Sequence, residues 1–192
     1  MKLKKMMLLG SVVLALAAFA QPGTASAKQW MKGGKALGVG GEVFKWGGKL
    51  SLTTTGGTFR VGLCEYNLVV NLWNEGGAAG GEVTAATIGP GFPCETNVPG
   101  CVLVGAETGG LPWQLNVTAG GTVDIEEIFF ELSYEGCEGI EKNVQVAGTL
   151  TGTYNNILPG FNFQAAGDLQ TEFGPTFVDG LLFEVSEQVT LE

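Results

Sequence analysis

Four segments of the chain alternate apolar and polar residues with a period of two. In CEYNLVVNLW one face collects Cys64, Tyr66, Leu68, Val70 and Leu72, and in LPWQLNVT it collects Leu111, Trp113, Leu115 and Val117. In KNVQVAGTLTGTY the set is Val144, Val146, Leu150 and Tyr154, and in LLFEVSEQVTLE it is Leu181, Phe183, Val185, Val189 and Leu191. Such alternation turns one face of a strand to a core and the other to water, and no segment after residue 27 repeats convincingly at helical spacing. Gly-Gly pairs at 47–48, 56–57, 76–77, 80–81, 109–110 and 120–121 punctuate the runs. They read as hairpin turns, which need the positive φ that Gly tolerates. Roughly ten strands at these intervals predict a single all-β domain, an antiparallel, meander-rich β-sandwich or barrel.

The stretch TVDIEEIFFELSYE breaks the alternation once. Val123 and Ile125 share a face, then the phase slips by one residue and Ile128, Phe130, Leu132 and Tyr134 continue it. A slip of one is what a β-bulge produces, so a bulge is expected at Glu126-Glu127. The outward row becomes Asp124, Glu126, Phe129, Glu131, Ser133 and Glu135. Asp124 and Glu126, as alternate strand residues about 6.6 Å apart, meet the roughly 5–10 Å spacing of a glycosidase carboxylate pair. The carboxylate row is interrupted at Ile128 and Phe129, and reads as a solvated wall.

Other catalytic chemistry is poorly supplied. The chain has no His, which removes the usual general base and the Ser-His and Cys-His dyads. Beyond residue 27 the serines are Ser51, Ser133 and Ser186, none within G-x-S-x-G. The Gly-rich pieces lack the G-K-[ST] ending of a phosphate loop, and no D-x-D-x-D-G calcium loop is present. The expectation is a non-enzymatic protein without cofactor or metal.

The first 27 residues, MKLKKMMLLGSVVLALAAFAQPGTASA, place Lys2, Lys4 and Lys5 before an apolar run from Met6 to Ala20 and end on Ala25-Ser26-Ala27. These are the parts of a secretory signal peptide, with Ala25 and Ala27 flanking the cleavage point. No second apolar run follows, so no membrane span is expected after its removal, and the location is extracellular or in the cell envelope. Removal leaves seven basic and nineteen acidic residues, a net charge of −12. That balance argues against nucleic acid and anionic lipid as partners. Six basic residues fall in 28–60 against Glu42 alone, whereas 61–192 carries Lys142 against eighteen acids. The asymmetry is read as a basic, Gly-rich leader over 28–50, weakly ordered, before a β-domain over 51–192. A sharper reading docks the leader on the acidic body of its own or another copy. No oligomeric state follows from the sequence.

An even number of cysteines in an exported chain reads as two disulfides. Cys94 with Cys101 is expected, because PCETNVPGC is a turn-rich loop, and Cys64 with Cys137 would then join distant strands. A zinc site lacks both a C-x-x-C pair and His. Trp73 faces away from the Tyr66 row beside Asn67 and Asn71, and a Trp with amides on a sheet face can stack on and hydrogen-bond a sugar. The competing account is that a second sheet layer, or Trp30 or Trp46 of the leader, covers it.

Three pieces, GGTFRVGLCEYNLVV, GGLPWQLNVT and GCEGIEKNVQVAGTLTGTYNN, resemble uncharacterised secreted β-proteins of actinobacterial type. These show a Cys opening an early strand, a Leu-Pro-Trp entry to a central strand and a Cys shortly before G-T-L-T-G-T-Y. The positions here are Cys64, Leu111 to Trp113, Cys137 and Gly148 to Tyr154. The resemblance spans roughly residues 56–155, implies an exported β-domain and carries no activity. The first functional reading is therefore a secreted structural or adhesive domain acting on a cell-surface glycan or protein. The second is a binding module for glycan on the Trp73 face or for an apolar small ligand inside a closed barrel, and the third is a glycoside hydrolase.

Overall fold

The computed structural model describes residues 27–54, 60–89, 94, 96–138, 143–171, 174–184 and 188–192. The apolar run of the expected signal peptide and Ala25 lie outside the described residues, and Ala27 opens them in an exposed position. Twelve strands follow in chain order: β1 Trp30–Lys32, β2 Lys35–Ala36, β3 Glu42–Thr54, β4 Arg60–Glu75, β5 Ala78–Ile88, β6 Val102–Gly109, β7 Trp113–Val117, β8 Thr122–Glu135, β9 Asn143–Asn155, β10 Gly160–Thr171, β11 Gly174–Glu184 and β12 Val189–Leu191. Among the described residues there is no helix.

Nine of these strands form one antiparallel sheet that returns on itself. Strand β8 pairs with β9 along one edge, and on its other edge with β7 through Val123–Ile125 and with β6 through Phe129–Glu135. Strands β6 and β7 thus lie end to end as a single stave, interrupted at Gly110, Leu111 and the cis-Pro112. The remaining staves follow chain order, and β11 closes on β3 from Thr176↔Thr54 to Glu184↔Trp46. The result is a nearly closed up-and-down barrel of eight staves, the barrel alternative of the expected fold, with the β9–β10 ladder interrupted between Asn162 and Gln170 and one seam unpaired. No ladder joins β5 to β6; the Thr108 hydroxyl bridges them by donating to the Ala86 carbonyl at 3.2 Å.

The interior is built from the alternating residues. Cys64 to Leu72 of β4, Trp113 and Leu115, Val144, Val146 and Leu150 are buried, with Val117 and Tyr154 packed against them. The bulge stands where the phase slip places it: the β8–β9 register shifts between Ile125 and Ile128, and Glu127 takes φ 58°. Of the last alternating run, Val189 and Leu191 are buried in the separate strand β12, while the side chains of Leu181, Phe183 and Val185 lie outside the described ones. Trp46, Phe161 and Phe163 form a ring cluster at the centre, with Trp46 and Phe161 centroids 4.5 Å apart, edge to face. Eight staves give an interior that side chains can fill.

The two poles are sealed differently. At one, β12, β1 and β2 form a small sheet that seats Trp30, fully buried, with its Nε1 donating to Gly80 O at 3.0 Å and its ring edge-on to Tyr154. Residues 28–50, expected to be a weakly ordered leader, therefore supply this cap and most of the first stave. The expected boundary at residue 51 falls inside β3. The driving force is apolar: Trp30, Leu37, Phe44 and Trp46 are buried, whereas Lys32 meets Glu42 at 2.6 Å with both side chains partly exposed to water. An exposed pair of that kind contributes about 1 kcal/mol or less.

At the other pole the cysteines pair as Cys64–Cys94 and Cys101–Cys137. The expected pairing of Cys94 with Cys101 and Cys64 with Cys137 is thereby corrected. The reason is the barrel's register. Cys64 lies just before Tyr66, which pairs with Ile88 at the end of β5, so the chain leaving β5 returns to Cys64 within a few residues. Val102 pairs with Glu135, which brings their flanking cysteines together. Each disulfide ties the β5–β6 connection to a different part of the wall.

Candidate functional site

The outward residues of the wall carry the candidate chemistry. Strand β4 turns Glu65, Asn67, Asn71 and Trp73 outward, and none of them is fully buried. Trp30 and Trp46, the expected covers for Trp73, are both buried, Trp30 in the capping sheet and Trp46 in the core, and among the described residues no second sheet layer lies on this face. Trp73 instead lies across Gly80, its partner on β5. A Cβ at Gly80 would stand 3.3 Å from Trp73 Nε1 and 3.7 Å from Cε2, so the partly buried indole lies over bare backbone.

The register then assembles a row that crosses the wall. Trp73 pairs with Gly80, Gly80 with Asn116, Asn116 with Asp124, and Asp124 with Thr151. The Thr151 hydroxyl donates to Asp124 Oδ1 at 2.7 Å, fixing that carboxylate. A second row runs parallel to it through Asn71, Glu82 and Gln114. With strands roughly 4.8 Å apart, Trp73 and Asp124 stand about 14 Å from each other, longer than a single sugar ring. An aromatic platform beside three amides and two carboxylates can stack on a sugar face and hydrogen-bond its hydroxyls.

Asn71 belongs to this site, held from the side by Gly41, whose φ of 69° and lack of a Cβ leave space for Asn71 Oδ1. Asn67 does not. It pairs with Gly47 and Thr87, four residues along β4 from Asn71, or about 13 Å away. Asn116, Gln114, Glu82 and Thr151 are brought to the site only by register. Their sequence signal was an outward position in an alternating run, which gives the face but not the neighbour.

The carboxylate pair of the hydrolase reading lies on an open convex wall. Asp124 is half-buried beside Thr151 and Glu126 is exposed at the bulge, so no cleft excludes water around them. Among the described residues no group of three or more His, Cys, Asp or Glu side chains is arranged to hold a metal. Among the described residues the interior holds an apolar cavity of about 30 Å³, walled by side chains that include Leu68, Trp113, Ile128 and Phe130. Pockets that hold drug-sized ligands begin at roughly 300 Å³. Tyr66 also lines that cavity, its hydroxyl buried without a hydrogen-bond partner, and burial pushes its phenol far above the ordinary tyrosine range. Burial raises Tyr134 likewise, with a smaller contribution from Tyr66.

No protein-family model, curated protein or solved structure matches the chain.

Proposed function

We propose that the chain is a secreted, non-enzymatic barrel that binds glycan on its outer wall, with Trp73 as the stacking platform. The observation that carries this reading is the partly exposed indole laid across Gly80 at the head of a row of amides and a fixed carboxylate. The N-terminal segment with its A-x-A ending and the two disulfides support export. Binding through the wall also accommodates the adhesive role expected from the sequence. The small volume of the interior argues against a carrier of drug-sized apolar ligands, and the convex setting of Asp124 and Glu126 argues against hydrolysis.

The test is retention of the exported chain on insoluble cellulose, chitin, chitosan and peptidoglycan, followed by titration of tryptophan fluorescence with the soluble fragment that competes best. The expected result is saturable binding to at least one of them, weakened about tenfold or more by Trp73→Ala, or roughly 1.4 kcal/mol. The variant should keep its unfolding midpoint within a few degrees. Retention on none of the four, or undiminished retention of Trp73→Ala, overturns the reading.

A further inference from the structure

We propose that the sugar recognised by this wall carries free amines: a chain of glucosamine-type units, preferred over its N-acetylated form and over uronic-acid chains. The inference rests on the glycan reading above and narrows its ligand class.

Three features of the wall point the same way. First, Trp73 is the aromatic side chain whose π-face attracts a cation most strongly. Second, both carboxylates near it are uncompensated by a neighbouring cation along their rows. Glu82 sits two residues from Gly80 on the same face of β5, diagonal to Trp73 at about 7–8 Å, within reach of a long side chain. Its cross-strand neighbours are the amides Asn71 and Gln114. Asp124 is flanked by Asn116 and Thr151, and the Thr151 hydroxyl donates to its Oδ1. Third, the chain beyond residue 27 has a net charge of −12, which repels polyanionic glycans and concentrates cationic ones at long range.

An ammonium on a sugar stacked at Trp73 would meet the indole face and Glu82 together, and one further along the chain would meet Asp124. A neutral acetamide at the same positions gains neither contact, and leaves two carboxylates partly desolvated with no charge to offset them. The amides Asn71, Gln114 and Asn116 serve hydroxyls in both cases, so the acetylated chain binds as well, but more weakly.

The experiment is calorimetric titration of the exported chain with a glucosamine tetramer and with the N-acetylglucosamine tetramer of equal length, at low and high salt. The amine form should bind about tenfold tighter or better at low salt, with the gap narrowing as salt screens it. In the Glu82→Gln, Asp124→Asn double variant the amine form should fall to the affinity of the acetylated form, itself unchanged; Trp73→Ala should weaken both. Equal affinities that both depend on Trp73 sink the amine preference and leave the glycan reading standing. A preference that survives the double substitution sinks the assignment to Glu82 and Asp124. Binding of neither tetramer sinks the amine preference and leaves the glycan reading to retention on the four insoluble polymers, whereas binding indifferent to Trp73→Ala sinks both readings together.

Discussion

Replacing Asn74 by alanine removes three hydrogen bonds that hold the cap on the barrel. Asn74 is buried at the end of β4. Its Oδ1 accepts from Trp30 N–H at 2.8 Å, and its Nδ2 donates to Trp30 O and Leu37 O, both at 2.9 Å. Trp30 O keeps Leu37 N–H as a donor at 2.9 Å, whereas Trp30 N–H and Leu37 O lose the partner that Asn74 supplies. Three net bonds at about 1 kcal/mol each, with an added cost for a buried group left unpaired, give roughly 3–5 kcal/mol. At about 2–4 °C per kcal/mol for a chain of this size, the melting point should fall by roughly 10 °C. Asn74→Asp is the sharper probe, because it keeps the acceptor and changes only the donor. Its second oxygen would face two carbonyl oxygens, raising the carboxyl's pKa in the folded state. The penalty is then present at neutral pH and relieved as acid protonates the group, so stability should rise as pH falls through the raised pKa. Urea unfolding with the disulfides intact, at neutral and acid pH, measures this. Amide exchange across residues 28–37 and 189–191 locates it. An Asn74→Asp variant as stable as the parent at neutral pH, or one that acid fails to rescue, would refute the assignment of these bonds.

Three more outcomes follow from the same geometry. Peptide mapping without reduction should recover Cys64 linked to Cys94 and Cys101 linked to Cys137; removing either pair should cost roughly 4 kcal/mol from loop closure over sequence separations of 30 and 36 residues. Because burial raises the Tyr66 and Tyr134 phenols above the unfolded value of 10.0, the unfolded chain releases those protons first. Stability should therefore be intact below about pH 10 and decline above it, and Tyr66→Phe should weaken that decline and add about 1 kcal/mol at neutral pH by deleting an unpartnered hydroxyl. Glu127→Gly should stabilise by up to about 1 kcal/mol in thermal unfolding, since Glu127 holds φ 58° at the bulge and Gly bears that conformation without a Cβ clash.

Period-two patterning carried the faces of β4, β7, β8 and β9, because burial on one side of a sheet is written locally. It also located the bulge, since a register slip must appear as a phase slip at Glu126-Glu127. Two features escaped it. Gly47-Gly48 and Gly80-Gly81 read as turns but lie inside β3 and β5, where absent side chains make room for partners: Tyr66 opposite Gly48, Trp73 opposite Gly80. The turns among these pairs are Gly76-Gly77, with φ of 59° and 85°, and Gly120-Gly121, where Gly121 N–H donates to Thr118 O. The lysines of 28–50 hid the apolar residues that do the packing, for net charge says nothing about whether Trp30 finds a cavity to fill. Disulfide pairing and the Trp73 row both depend on which strand lies next to which, a nonlocal fact that no single stretch of sequence contains.

Among the described residues the interior shows an apolar cavity of about 30 Å³, and the poles carry a cap and two disulfides, so the proposed recognition lies on the wall. On that wall Gly80 is the residue that lets an indole settle against backbone, since its missing side chain is what Trp73 covers. Gly80→Val tests this directly. A branched side chain suits a strand and should leave stability within about 1 kcal/mol of the parent, because β-propensity favours Val over Gly there. Its methyl groups, however, would extend past a Cβ already 3.3 Å from Trp73 Nε1 and drive the ring off the sheet. Glycan binding should then fall nearly as far as in Trp73→Ala, although the tryptophan itself is still present. Fluorescence titration of the two variants side by side decides the matter: if Gly80→Val binds like the parent, the ring's position on the wall is not what the ligand reads, and Trp73 serves only to cover a bare glycine.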